Sequence, residues 1–186
     1  MRLTHLKPKD YKRMPWKNGG GMTTEIIVEQ DQGGNTLWRL SIAEVEQSGP
    51  FSDFSGYDRS IMLIEGAGFT LAFDEAPQRR IDQPFEPFRF DGGWRAACTL
   101  IDGAIRDFNL MAARKGPAAE LTVERPGPGS VEVAAARTVV FHALKGDAAV
   151  SGHGIGEGET LRVDMPIFPL SLEAPEPATI AVIRIG

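Results

Sequence analysis

Short apolar runs with a two-residue period recur along the whole chain, separated by clusters of Gly, Pro, Asp and Ser. The first are Thr24–Glu29, Leu37–Val45, Arg59–Glu65 and Phe69–Phe73. Ala96–Leu100, Asp107–Met111, Leu121–Glu124, Thr138–Leu144, Thr160–Val163, Leu170–Glu173 and Thr179–Ile185 follow. Alternation of this kind sends successive side chains to opposite faces of a strand, and turn residues between the runs predict an all-β sandwich or barrel. Helical signal is confined to Pro8, whose missing N–H suits a first helical turn. A short helix is expected from there through Lys12 or Arg13, with Pro15 ending it.

Within the strands the polar positions are selective. Leu37–Val45 puts Trp38, Leu40 and Ile42 on one face and Arg39, Ser41 and Ala43 on the other; Asp107 and Asn109 likewise oppose Phe108 and Leu110. A solvated outer surface is one explanation. The mouth of a barrel is the other, because Arg, Ser, Asp and Asn beside a small Ala leave room for a ligand. In Ser48–Arg59, Phe51, Phe54 and Tyr57 are expected to plug a barrel end while Asp58 and Arg59 turn inward.

A faint internal echo divides the chain. Arg59–Gly66 leading into Phe69-Thr-Leu resembles Arg137–Gly146 leading into Ala148-Ala-Val, each a strand, a glycine turn and a returning strand. The pair predicts two related β-units, with a boundary near Lys115–Ala119 that sets residues 1–115 apart from 116–186.

Composition narrows the chemistry. A net charge of −5 argues against a nucleic-acid partner, which needs clustered Lys and Arg. One cysteine, Cys98, rules out an internal disulfide and a cysteine-built zinc cage, and its apolar strand context makes it a core residue. His5, His142 and His153 stand in no metal-binding spacing, so no metal or other cofactor is expected. Gly152–Gly158 is followed by β-type residues instead of a helix and reads as a turn, not a phosphate loop. With no apolar segment of spanning length and no leader-like start, a cytoplasmic protein without a membrane partner is expected.

Pro15–Ile27, Trp38–Glu44, Gly49–Arg59, Cys98–Gly103 and Asp107–Met111 together resemble the HutD/Ves family over roughly the first 115 residues. The resemblance implies a bicupin, two cupin-type β-barrels in one chain with few short helices and strands exchanged between them, and a role linked to histidine utilisation. Cupins generally hold a metal through a His-x-His pair with a downstream Glu and His. This chain has Gly56-Tyr-Asp-Arg59 there and no histidine between His5 and His142, which puts metal-dependent chemistry in doubt. Phe90-Asp-Gly-Gly93 departs from the family's more usual Phe-Pro-Gly-Asp.

On that basis the expected function is metal-independent binding of a small carboxylate metabolite of histidine breakdown, with a regulatory or sensing role. Arg39 or Arg59 would clamp the carboxylate, since a guanidinium offers two parallel hydrogen bonds. Asn18 and Asn109 would add amide bonds, Ser41 lines the same face, and the backbone of Gly19, Gly20 and Gly21 would approach closely. Trp16 would shield one side, and Thr24, Glu25 and Asp107 would orient the arginines. Two alternatives stay open: an enzyme using Glu25 or Asp107 as general acid or base, and a buried ion-pair network with no ligand. Neighbouring arginines are expected to hold those carboxyls low, which favours binding over catalysis. A long β-edge leaves room for a homodimer without selecting one.

Overall fold

The computed structural model describes all of residues 1–186, and nineteen strands account for its regular structure beside one 3-10 turn at Pro8–Asp10. In chain order the strands begin with β1 (Arg2–Leu6), β2 (Lys12–Pro15), β3 (Gly21–Gln30), β4 (Thr36–Val45), β5 (Gly49–Pro50) and β6 (Tyr57–Glu65). Next come β7 (Phe69–Phe73), β8 (Arg79–Ile81), β9 (Phe88–Asp91), β10 (Ala96–Leu100), β11 (Ile105–Ala113) and β12 (Ala119–Glu124). The last are β13 (Ser130–Val133), β14 (Thr138–Lys145), β15 (Ala148–Val150), β16 (His153–Ile155), β17 (Thr160–Asp164), β18 (Leu170–Glu173) and β19 (Thr179–Ile185). The expected helix from Pro8 is therefore only three residues long, because the chain re-enters a strand at Lys12.

Two compact units divide the chain: Lys12–Pro117, and Met1–Tyr11 together with Ala118–Gly186. Each holds one larger and one smaller antiparallel sheet. In the first unit the orders are β2-β3-β4-β11-β6-β9 and β5-β10-β7-β8; in the second they are β1-β17-β14-β19-β12 and β13-β18-β15-β16. Residues 1–11, placed with the N-terminal part on sequence grounds, supply the edge strand β1 through its pairing with β17. The sheets of a unit stay separate ladders and do not close into one hydrogen-bonded ring.

Alternation explains how each unit makes its core. Phe141, Leu161, Val163, Ile180 and Val182 project from the five-stranded sheet onto Val150, Ile155, Leu170 and Leu172 of its partner sheet. In the first unit Val45, Ile61, Leu63 and Ile105 of the six-stranded sheet meet Phe69, Leu71, Ile81 and Cys98 of the four-stranded one. Cys98 is thus a core residue, its thiol pushed up to about 12 by burial and, to a lesser degree, by Asp107. The central strands β4, β6 and β11 are buried on both faces, since Trp38, Leu40, Met62, Phe108 and Leu110 on the second face are also inaccessible.

The internal echo has a structural counterpart with a different geometry. Gly66 and Gly146 both take positive φ, at 103° and 68°. The strand after each does not return beside its predecessor: β6 and β14 lie in the larger sheets, β7 and β15 in the smaller ones. The repeated unit is a corner that carries the chain from one sheet to the other. His142 on β14 is buried, its Nδ1 2.8 Å from Thr160 Oγ1.

The triple glycine closes the β2–β3 hairpin. Trp16 N–H donates to Gly21 O at 2.9 Å, and Gly19 N–H to Trp16 O at 3.0 Å. The side chain of Asn18 accepts from Gly20 N–H at 3.0 Å. Gly19 needs its left-handed φ of 70°, whereas Gly21 is fixed by space. A Cβ there would lie 2.4 Å from Glu44 O and 3.1 Å from the Trp16 ring. Gly21→Ala is expected to destabilise by about 1–3 kcal/mol, because backbone must move to admit the methyl. Thermal melting should fall by several degrees, and an unchanged midpoint would show that the hairpin gives way freely.

Candidate functional site

The inward face of the six-stranded sheet changes character along its length. Register places Arg39, Met111 and Arg59 on one rung of β4-β11-β6, Ser41, Asn109 and Ile61 on the next, and Ala43, Asp107 and Leu63 on the third. Beyond it, Val45 and Ile105 belong to the apolar core. A cavity of about 540 Å³ opens over the polar rungs. Arg39, Ser41, Arg59, Asp107 and Asn109 all line it, along with Trp16 and Asn18 of the hairpin.

Arg59 is only 6% exposed. Its guanidinium carbon lies 5.2, 5.2 and 5.1 Å from the ring centres of Phe51, Phe54 and Phe90. Aromatic faces attract a cation but do not neutralise it. Nη2 donates to Asn109 Oδ1 at 2.8 Å, while Nε has no hydrogen-bond partner. Burial lowers its pKa to about 10, opposed by Asp107 and reinforced by the like charge of Arg39. Arg39 is more accessible and has Glu25 Oε2 2.9 Å from its Nε. That N–H is not aligned on the carboxylate, so the contact is ionic and Nε lacks a hydrogen bond.

Asp107 is 1% exposed, and its two oxygens differ. Oδ1 accepts a short hydrogen bond from Asn109 Nδ2; Oδ2 has no partner. Asn109 therefore separates the two charges, its carbonyl toward Arg59 and its amino group toward Asp107. Burial raises the Asp107 pKa to about 7 against the opposing pull of Arg59 and the Asn109 bond. The expectation that the arginines hold this carboxyl low is overturned, because loss of hydration outweighs their attraction.

Other residues singled out in the sequence fall elsewhere. Gly19, Gly20 and Gly21 shape the hairpin but are not on the cavity wall; Trp16, Lys17 and Asn18 are. Thr24 lies opposite Ile42, on the face away from the cavity, whereas Thr23 opposite Ala43 lines it. Thr23 Oγ1 accepts the Trp16 indole N–H at 2.8 Å and so holds the ring in place. Glu25 reaches the site through Arg39 and does not itself line the cavity. Asp58 turns outward to Arg89 and Arg114, since its neighbour Arg59 takes the inward position. Phe51 and Phe54 wall the cavity as an aromatic end, and the Tyr57 hydroxyl bonds Thr36 O instead. Beside Ala43, the lining is completed by Pro15, Val45, Pro50, Ser52 and Met111, none of them foreseen; the odd-numbered parity of Val45 with Arg39 and Ser41, and of Met111 with Asp107 and Asn109, announced two of them.

A cupin-type metal does not fit these residues. Two guanidiniums repel a divalent cation, the wall offers one carboxylate, and it contains no imidazole or thiol. No group of three or more His, Cys, Asp and Glu side chains converges anywhere in the chain. No helix is long and apolar enough to cross a membrane.

Comparison with known proteins gives the site its context. The HutD family model matches residues 8–180. An uncharacterised 21.2 kDa protein in the hutC 3′ region of Pseudomonas putida is 49% identical over 112 residues, 60% of this chain and 58% of that protein. The Ves protein of Escherichia fergusonii is 33% identical over 106 residues, 55% of each chain. These matches span little more than half of either relative. HutD from Pseudomonas fluorescens SBW25, solved in a formate condition, is 34% identical with a TM-score of 0.86 over 100% of both chains. A cupin 2 conserved barrel protein from Leptotrichia buccalis shares 10% identity at a TM-score of 0.59, covering 94% of this chain and 96% of that one, and shows the fold alone.

The raised carboxyl has a consequence for stability. Between the ordinary carboxylate range and about 7, folded Asp107 keeps a proton that the unfolded chain has released. Folding therefore loses up to about 1.4 kcal/mol per pH unit across that window, nothing below it and no more above it. Asp107→Asn cannot ionise, so its melting temperature should gain on the parent as pH rises toward 7 and then run parallel. A difference independent of pH would contradict the assigned shift.

Proposed function

The chain belongs to the HutD family, and from that premise we propose that it is a metal-independent protein that binds a small carboxylate metabolite in the cavity of its first unit. A link to histidine utilisation, as sensor or restraint on the pathway, is part of the proposal and draws on the family. The observation that carries the binding reading is Arg59, a buried cation whose side chain lines the cavity and whose Nε has no hydrogen bond. Such a group is costly to fold and becomes useful only when an anion arrives. Arg39 on the same rung offers a second N–H without a hydrogen bond. A carboxylate between them would face donors from both arginines, in surroundings where hydrogen bonds to charge are strong.

A pure ion-pair network is less well supported. Arg59 and Asp107 communicate through a neutral amide, and each keeps an atom without a partner. An interaction serving stability would satisfy both.

Catalysis is favoured by the place of Asp107, a buried carboxyl on the cavity wall that burial pushes up to about 7, which suits a general acid or base at neutral pH. On this second reading Asp107 exchanges a proton with the ligand held by Arg59, and Asp107→Asn abolishes turnover while leaving carboxylate affinity measurable.

Calorimetry with a panel of small carboxylates, including those of histidine breakdown, should give micromolar to millimolar dissociation constants. Arg59→Lys should weaken binding about tenfold or more, since an ammonium cannot supply the planar pair of donors. Arg39→Gln, at a more exposed position, should weaken it without a folding defect. Saturable binding unaffected by either change, or no binding across the panel, would overturn the reading.

A further inference from the structure

Four of the chain's five exposed large hydrophobic residues gather at one end of the second unit. Met165, Ile167 and Phe168, in the turn 165–169 that joins β17 to β18, are 62%, 78% and 70% exposed. Met1, 69% exposed, stands beside them, because Arg2 pairs with Asp164 and the next step along both strands brings Met1 to Met165.

The turn is held in place. Met165 takes a left-handed φ of 54° and its N–H donates to Arg137 O at 2.8 Å, while Pro166 is buried and Pro169 restricts the way back into β18. A methionine in that conformation costs free energy, and large apolar side chains left in water contribute no stability. The unit keeps both features, so Ile167 and Phe168 are presented in position before any contact is made.

This end does not lead into a second ligand cavity. Counting back from the corner glycines Gly66 and Gly146, Arg59 and Ile61 of β6 correspond to Val139 and Phe141 of β14. Across the sheet, Asn109 and Asp107 of β11 correspond to Val182 and Ile180 of β19. The interior of the second unit is therefore packed core where the first unit is polar, and the apolar turn can be covered only from outside.

We propose that a second copy of this chain covers it, the two copies packing Met165, Ile167 and Phe168 against their counterparts about a two-fold axis. Area and charge select this occupant. At roughly 200 Å² for a large side chain, the four exposures leave on the order of 550 Å² per copy, against about 800 Å² in an ordinary stable contact. Exposed Arg2, Ala134, Ala135, Arg137 and Pro169 border the patch and supply the remainder as its rim. Residues 165–169 carry no charge and offer a partner of opposite charge nothing to recognise, whereas an uncharged apolar patch is complementary to itself. An anionic bilayer fits less well, because the chain carries a net charge of −5. The two exposed cations beside the patch, Arg2 and Arg137, also fall short of the clusters of roughly four to eight that recognise anionic lipid.

The proposal is independent of what the first unit binds. Sedimentation equilibrium of the full chain from about 1 to 200 µM should show a monomer–dimer equilibrium with a micromolar dissociation constant, as suits a contact of modest size. Ile167→Asp combined with Phe168→Asp should weaken association about a hundredfold or more. The melting temperature of the dilute protein should stay unchanged, since both side chains are exposed. A monomer throughout the range, a dimer indifferent to the double substitution, or a patch that instead carries the chain onto phosphatidylserine vesicles would each overturn the proposal.

Discussion

A guanidinium placed among three phenylalanine rings, held by one neutral amide and neutralised by no carboxylate in contact, is the constraint around which the first unit is organised. Transferring a cation from water to such surroundings is among the costliest steps a fold can include. The cost falls directly on Arg59, whose pKa is driven down by burial. Its neighbours reduce the penalty without removing it. Asn109 supplies one acceptor and the ring faces supply quadrupole attraction, while Asp107 contributes from beyond the amide. Substituting the arginine by a hydrophobic residue of similar volume would solve the stability problem more simply. The rest of the cavity makes sense if the arrangement is completed by something that enters from outside.

The strand pattern made much of this legible in advance. Period-two arithmetic placed Arg39, Ser41, Asp107 and Asn109 on one side of their strands, and pairing of β4 with β11 puts those sides together. What the pattern could not supply was burial on the opposite side, so a wet surface remained an equal alternative. Trp38, Leu40, Phe108 and Leu110 settle it, because strands buried on both faces have no wet side. Short strands such as β8, β9 and β13 escape notice because three or four residues are too few for a two-residue period to stand out, although Phe88–Asp91 and Ser130–Val133 do alternate.

Misplaced residues have specific causes. Thr24 and Thr23 are equivalent until β3 is registered against β4, and one step of register exchanges the two faces. Asp58 is an error the strand rule itself could have prevented, since consecutive residues of β6 cannot both point inward. The sequence suggests the hairpin glycines as access for a ligand, but Gly21 instead admits the Trp16 ring and the Glu44 carbonyl. Their effect on the cavity is indirect: they let Trp16 lie against Thr23, and it is the indole that lines the wall.

The Asp107 carboxyl is where sequence reasoning and structure part for a deeper reason. Charge partners can be counted along a sequence, and two arginines beside an aspartate argue for a low pKa. Desolvation cannot be counted, because it depends on how completely the other sheet and the aromatic end exclude water. In this unit the exclusion wins, and it acts on both charges at once: it raises the acid and lowers the base. Burial thus brings the two groups closer to sharing a proton while Asn109 keeps them apart. A site with one underused donor and one underused acceptor fixed across an amide has direction as well as charge.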